Sequence, residues 1–178
     1  MPCFPEVAGM SWNLFPDRYV KSALAVTPEE LKQKGIEGLI LDIDNTLEPY
    51  FVPDPREEVK NWIRNMEKSG ILLYIVSNGK EERVKRFDKE LGLPYICQAQ
   101  KPYLKGFEAA QASFGLPENK IAVIGDQIFT DVWGGNKAGM YTILAKKVSP
   151  RDEWITAIKR PLEVPILLAY RLIRRKRS

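Results

Sequence analysis

The chain has 178 residues, a length that suits one domain with a real buried core, and it contains no histidine. That absence excludes histidine-based zinc sites, Ser-His-Asp triads and phosphohistidine chemistry, leaving acid-base work to carboxylates, Lys, Tyr or Cys. The net charge of +4 belongs to one end: residues 159–178 carry seven Lys and Arg against Glu163 alone, an excess of +6 that leaves −2 for the rest and argues against a nucleic-acid-binding face.

In chain order, residues 1–26 read as an N-terminal arm. Its first residues have neither a basic stretch nor a long apolar core, so no signal peptide is expected. No apolar run reaches the ~18 residues a membrane span needs. Cys3 and Cys97 form no metal-spaced pair and fit a reducing compartment, so the expected location is the cytoplasm. Thr27, Pro28 and Glu30 make a capping-box start for a short helix that runs to Lys34 and stops at Gly35. The apolar run 38–41 predicts a buried strand of a parallel sheet, and the Pro- and aromatic-rich stretch from Leu47 to Pro55 predicts a loop or small flap.

Asp54-Pro55 opens a helix with Val59, Trp62, Ile63 and Met66 at helical spacing until Gly70. A strand at 71–76, a charged helix from Lys80 to Leu91, a short strand at 95–97 and a helix from Tyr103 to Phe114 follow. A strand at 120–125, a short helix over Asp131 to Lys137 and a last strand at 141–144 complete the alternation. Strands alternating with helices predict an α/β fold of three layers around a parallel sheet with right-handed crossovers. The spacings between the polar clusters leave room for little more than one crossover each, so no cap domain fits between them.

Polar residues gather where the apolar runs end. Asp42, Asp44 and Thr46 follow the first run, Ser77 and Asn78 the second, and Asp126 the third, with Asp131 five residues on and Lys101 between. Side chains two apart on an extended strand share a side, which would put Asp42 and Asp44 together. Like carboxylates that close stay ionised only beside compensating charge, a divalent cation or a basic side chain. In open α/β sheets the ligand crevice lies at the carboxyl edge, where all these clusters would meet.

The order Asp42-Ile43-Asp44-Asn45-Thr46, Ser77-Asn78, Lys101-Pro102 and Gly125-Asp126 through Asp131 resembles the haloacid dehalogenase (HAD) superfamily of phosphotransferases over roughly residues 10–150. Within it the chain is similar to subfamily IIIA, in the YqeG-like branch related to mitochondrial and plant phosphatidylglycerophosphate phosphatases. The eukaryotic lipid phosphatases typically have Lys where this chain has Ile43. The resemblance implies a HAD-like Rossmannoid core without a cap, at 27–150, and a phosphomonoester hydrolase acting through an aspartyl-phosphate. It implies Asp42 as nucleophile, Asp44 as general acid and base, and Lys101 as the residue neutralising the phosphoryl oxygens and the nucleophile. Ser77, Asn78 and Thr46 would hold the phosphoryl group or its loop. Mg²⁺ would be held by Asp42, Asp126 and the Asp44 carbonyl, with Asp131 acting through water or orienting Asp126.

The expected substrate is phosphatidylglycerophosphate; a soluble sugar phosphate, nucleotide or phosphoprotein is the alternative within the same chemistry. A phosphoaspartate receiver would place its acidic pair and its phosphorylated Asp on different strands, whereas here both aspartates and Thr46 share one motif. A non-catalytic binding module would have lost an expected position, and none is lost. Residues 151–178 read as a helical basic tail. Val164 to Ile173 is nearly continuously apolar and runs into Arg174-Arg175-Lys176-Arg177, a pattern that either packs on the core or lies on an anionic membrane surface.

Overall fold

The computed structural model describes residues 13–150, 163–170 and 172. Its strands are β1 (Arg18–Val20), β2 (Gly38–Leu41), β3 (Leu72–Val76), β4 (Tyr95–Ile96), β5 (Ile121–Gly125) and β6 (Tyr141–Ala145). All are parallel, in one sheet ordered β1-β6-β5-β2-β3-β4. The helices are α1 (Pro28–Gln33), α2 (Glu57–Lys68), α3 (Glu81–Asp88), α4 (Lys105–Phe114) and α5 (Trp133–Lys137).

The central strands β2 and β5 are buried at every residue, as continuous apolar runs predict. Successive side chains alternate between two packed faces. Leu39 and Leu41 join Leu31 of α1, Ile63 and Met66 of α2 and Val84 and Phe87 of α3. Ile40 and Val123 join Phe107 and Ala110 of α4. Helices therefore cover both sides of the sheet. Thr27 caps α1 through its hydroxyl, which accepts from Glu30 N–H at 3.3 Å, and Trp62 Nε1 donates to Val26 O at 2.8 Å, tying α2 to the entry of α1.

Beyond shifts of one or two residues at helix starts, three features differ from the sequence expectation. Residues 18–20, read as part of the arm, form the edge strand β1 beside β6. Helix α3 ends at Asp88, whose Oδ1 accepts from Leu93 N–H at 2.8 Å and turns the chain toward β4. The helix after β5 begins with a π-helical turn, Ile128–Val132, so Asp131 lies within it and not at its start. The basic cluster 174–177 and the arm before residue 13 lie outside the described residues. Within the tail, residues 163–170 form a C-terminal helix whose Ile166 and Leu167 pack against Ile128, Val132 and Leu144, and whose Tyr170 is buried.

Candidate active site

From β2 the chain winds outward through β3 and β4, then crosses back to lay β5 on the other side of β2. The sheet's winding thus reverses between β2 and β5, where open α/β folds form their ligand crevice. Asp42 extends β2 by one residue, donating its N–H to Ile124 O at 3.0 Å, and Asp126 follows β5. Carboxylate oxygens of Asp42, Asp126 and Asp131 all lie within 4.8 Å of one another, and all three residues are buried.

Lys101 stands inside this group. Its Nζ is 2.6 Å from Asp42 Oδ1 and 2.6 Å from Asp131 Oδ1. Burial works against its charge, but the two carboxylates outweigh burial and hold the ammonium above the ordinary lysine range. Burial, opposed by Lys101 and reinforced by the Asp42 charge, pushes Asp131 up to about 6. One ammonium among three buried carboxylates leaves an excess of negative charge that hard cations with oxygen ligands satisfy.

Asp131 reaches the cluster because Gly125 has no side chain. A Cβ there would come within 2.1 Å of the Asp131 carboxyl carbon. Asp131 Oδ2 also accepts from Gln127 N–H at 3.2 Å and Thr130 Oγ1 at 3.3 Å. Thr46 Oγ1 lies 2.8 Å from Asp42 Oδ2 and 3.3 Å from Asp126 Oδ1, so its single proton serves the nearer Asp42.

The segment after Asp42 is wound tightly: N–H groups of Thr46, Leu47 and Glu48 all point to Ile43 O at 2.9–3.2 Å. Asn45 takes a left-handed φ of 61°, which Asn tolerates better than most residues. Glu48, fully buried, anchors the turn by accepting from Arg56 Nε at 3.0 Å and Arg56 N–H at 2.8 Å. Ser77 is buried, and its Oγ accepts from Gly79 N–H at 3.0 Å. The Asn78 side chain clamps the main chain of Lys101, with Oδ1 accepting from Lys101 N–H at 2.7 Å and Nδ2 facing Lys101 O at 3.5 Å.

The Asp44 side chain is not one of the three grouped carboxylates. Its Oδ1 accepts from Arg83 Nε at 3.0 Å, and Arg83 Nη1 also donates to Pro53 O at 2.9 Å. Neither Arg83 nor Glu48 nor Thr130 was marked by the sequence pattern. Arg83 is one charge among many on α3, and Glu48 sits in a Pro-rich loop where no periodicity announces burial. Glu163 was counted only as a tail charge; it is buried, and its Oε1 accepts from Ile128 N–H at 2.8 Å.

Among known proteins, the HAD-hydrolase-like family model matches residues 98–165. The chain is 42% identical over 154 residues to the probable phosphatase YqeG of Bacillus subtilis, covering 86% of this chain and 90% of that protein. It is 28% identical over 165 residues to phosphatidylglycerophosphate phosphatase 1, chloroplastic/mitochondrial, of Arabidopsis thaliana, covering 86% of this chain and 47% of that longer protein. The cobalt-bound deoxy-D-mannose-octulosonate 8-phosphate phosphatase of Haemophilus influenzae shares the fold, with a TM-score of 0.53 and 17% identity over 64% of this chain and 70% of that one. Identity at that level across nearly the whole of the Bacillus protein, on a parallel α/β sheet of the same kind, makes this chain a member of the HAD-like phosphatase family.

Proposed function

We propose that the protein is a Mg²⁺-dependent phosphomonoester hydrolase that works through an aspartyl-phosphate, with phosphatidylglycerophosphate as its substrate. The observation that carries the chemistry is the buried cluster of Asp42, Asp126 and Asp131 with Lys101 Nζ 2.6 Å from two of them. Its donor set, all carboxylate oxygen, fits Mg²⁺. Asp42, Asp126 and Asp131 would hold the ion with the main-chain carbonyl of Asp44. When bound, Mg²⁺ supplies charge neutralisation for the phosphoryl oxygens and the nucleophile.

The protein's own residues account for the rest. Asp42 attacks phosphorus, the ester P–O bond breaks, and the departing alkoxide takes a proton from Asp44. In the second half Asp44 accepts a proton from water, the resulting hydroxide attacks phosphorus, and the Asp42–phosphorus bond breaks to release phosphate. Acid-base help of this kind is worth about 10²–10⁴-fold. Thr46 and Lys101 fix Asp42 from both oxygens, while the Ser77 hydroxyl, held by Gly79 N–H, donates to a phosphoryl oxygen. Asn78 contributes by holding Lys101 in place.

The lipid substrate is supported by the plant relative's name and by the tail. Val164, Leu168 and Leu172, spaced four apart, are each more than half exposed on the side of the C-terminal helix away from the core, and four basic residues follow in sequence at 174–177. Such a stripe suits peripheral contact with an anionic bilayer, each basic residue adding about 1 kcal/mol. No helix among the described residues is long and apolar enough to cross a membrane. On this reading 27–150 is a capless catalytic core, extended by β1 from the arm, with 151–178 as its membrane-facing tail.

The test is Mg²⁺-dependent phosphate release from an aryl phosphate by wild type and Asp42→Asn, followed by phosphatidylglycerophosphate against soluble phosphomonoesters. Loss of all turnover in Asp42→Asn and a preference for the lipid are expected. Turnover that survives the substitution rejects the mechanism, and equal rates on lipid and soluble substrates reject the lipid assignment.

A further inference from the structure

Arg83 is the basic side chain whose contacts meet both the strand-end motif and the loop beyond it. It stands on the first turn of α3, four residues past Gly79, with a side chain only 15% exposed. Nε holds Asp44 Oδ1, Nη1 holds Pro53 O, and the guanidinium lies 5.7 Å from the centroid of the buried Phe87 ring. Nη2 is buried with no hydrogen-bond acceptor among the described residues. A buried charged donor left without an acceptor costs stability, so this arginine is not placed to maximise it.

The geometry around Asp44 supplies a reason. A Cβ built on Gly79 would lie 3.1 Å from Asp44 Oδ2, 3.1 Å from Ser77 Oγ and 3.6 Å from Arg83 Cγ. The carboxylate is therefore sandwiched: one oxygen on Arg83, the other on the side of the Ser77 turn. The same guanidinium ties the loop at Pro53 to that carboxylate, beside the Arg86–Asp54 pair one residue on at 2.9–3.1 Å, so Arg83 links the orientation of Asp44 to this loop. Lysine, with a single flexible ammonium, does not reproduce a two-point planar hold.

We infer that Arg83 is a positioning residue that holds Oδ1 of the Asp44 carboxyl group, with the proton given to the leaving group carried on Oδ2, and couples that orientation to the loop at Pro53. The inference rests on the reading of Asp44 as the leaving-group acid. Misplacement of an acid matters most where the departing oxygen is a poor leaving group: an alkoxide needs the proton, an aryl oxide hardly does. A purely structural arginine would depress both reactions alike.

The experiment measures kcat/KM, which reports the steps through release of the alcohol and excludes the later hydrolysis in which Asp44 is the base, for the full chain with Mg²⁺ on glycerol 3-phosphate and on p-nitrophenyl phosphate, in wild type, Arg83→Met, Arg83→Lys and Asp44→Asn. Arg83→Met keeps the aliphatic stem over Phe87. It is expected to lower kcat/KM on the alkyl ester by about 10²-fold and on the aryl ester by less than roughly 5-fold. Arg83→Lys is expected to recover part of the alkyl loss; if the Met variant does not fold, a selective alkyl loss in the Lys variant is the deciding result. Equal losses of kcat/KM on both esters overturn the inference. If Asp44→Asn discriminates between the esters and the Arg83 variants do not, the positioning role alone fails. If Asp44→Asn does not discriminate, the acid assignment fails and the positioning role falls with it.

Discussion

Glu163 of the C-terminal helix accepts a 2.8 Å hydrogen bond from the main-chain N–H of Ile128, the first residue of the π-helical turn that carries Asp131. The tail is thereby joined to the candidate metal site. Ile128 is fully buried, so the N–H has no water to fall back on. Glu163→Ala should destabilise the fold by about 1–3 kcal/mol, the cost of orphaning a buried donor. Glu163→Gln keeps an acceptor oxygen and should lose much less. Urea denaturation of both variants checks this, and it explains why the tail's membrane role is better probed by Leu168→Lys than by deleting the helix.

Removal of the cation should cost stability. If Asp42, Asp126 and Asp131 share one ion, saturating Mg²⁺ at a hundred times its Kd adds about 2.7 kcal/mol, and chelation withdraws it. Asp126→Asn should abolish the Mg²⁺-dependent rise in Tm. Thermal unfolding with and without chelator, in wild type and variant, is the measurement.

Gly125→Ala places a methyl within 2.4 Å of three Asp131 atoms. Asp131 and the π-helical turn must shift to admit it, at about 1–3 kcal/mol. Calorimetric titration should find Mg²⁺ binding weakened by at least about 10-fold, although alanine carries no chemistry of its own.

Asn78→Ala frees the main chain of Lys101 while leaving every proposed ligand in place. We expect kcat to fall by about 10²-fold from misplacement of the ammonium, with Mg²⁺-dependent stabilisation retained. Steady-state kinetics and Mg²⁺-dependent Tm, measured on the same preparation, check the two halves of this expectation.

Asp88 provides a pH prediction. Burial, opposed by the Leu93 N–H, holds its carboxyl above the ordinary value of 3.8. A proton is then bound more tightly in the folded state than in the unfolded one. The resulting stabilisation is present below the unfolded pKa and is lost as pH rises through the folded value. Asp88→Asn removes that dependence but keeps an acceptor for Leu93. Relative to wild type its urea midpoint should improve between about pH 4 and pH 7, whereas Asp88→Ala should be worse at both.

The parts legible in sequence were those where one physical demand writes a local pattern. Buried parallel strands require unbroken apolar runs, and β2, β3 and β5 announced themselves and the polar residues at their ends. Strand β1 was illegible because Arg18-Tyr19-Val20 is short and flanked by charge, and it is a strand only through pairing with β6. Asp131 was read as opening a helix because no local signal distinguishes a π-helical turn from the α-helix that follows. Arg83, Glu48 and Glu163 are ordinary charges in sequence; their meaning arises from partners 39, 8 and 35 residues away.

The aspartyl-phosphate at Asp42 is tested most directly by chemical trapping during turnover. The protein is mixed with substrate and Mg²⁺, quenched, reduced with borohydride and mapped by mass spectrometry. Reduction of an aspartyl-phosphate converts that aspartate to homoserine, a change expected at position 42 alone and absent without substrate. Trapping at another aspartate, or sustained turnover by Asp42→Asn, would contradict it.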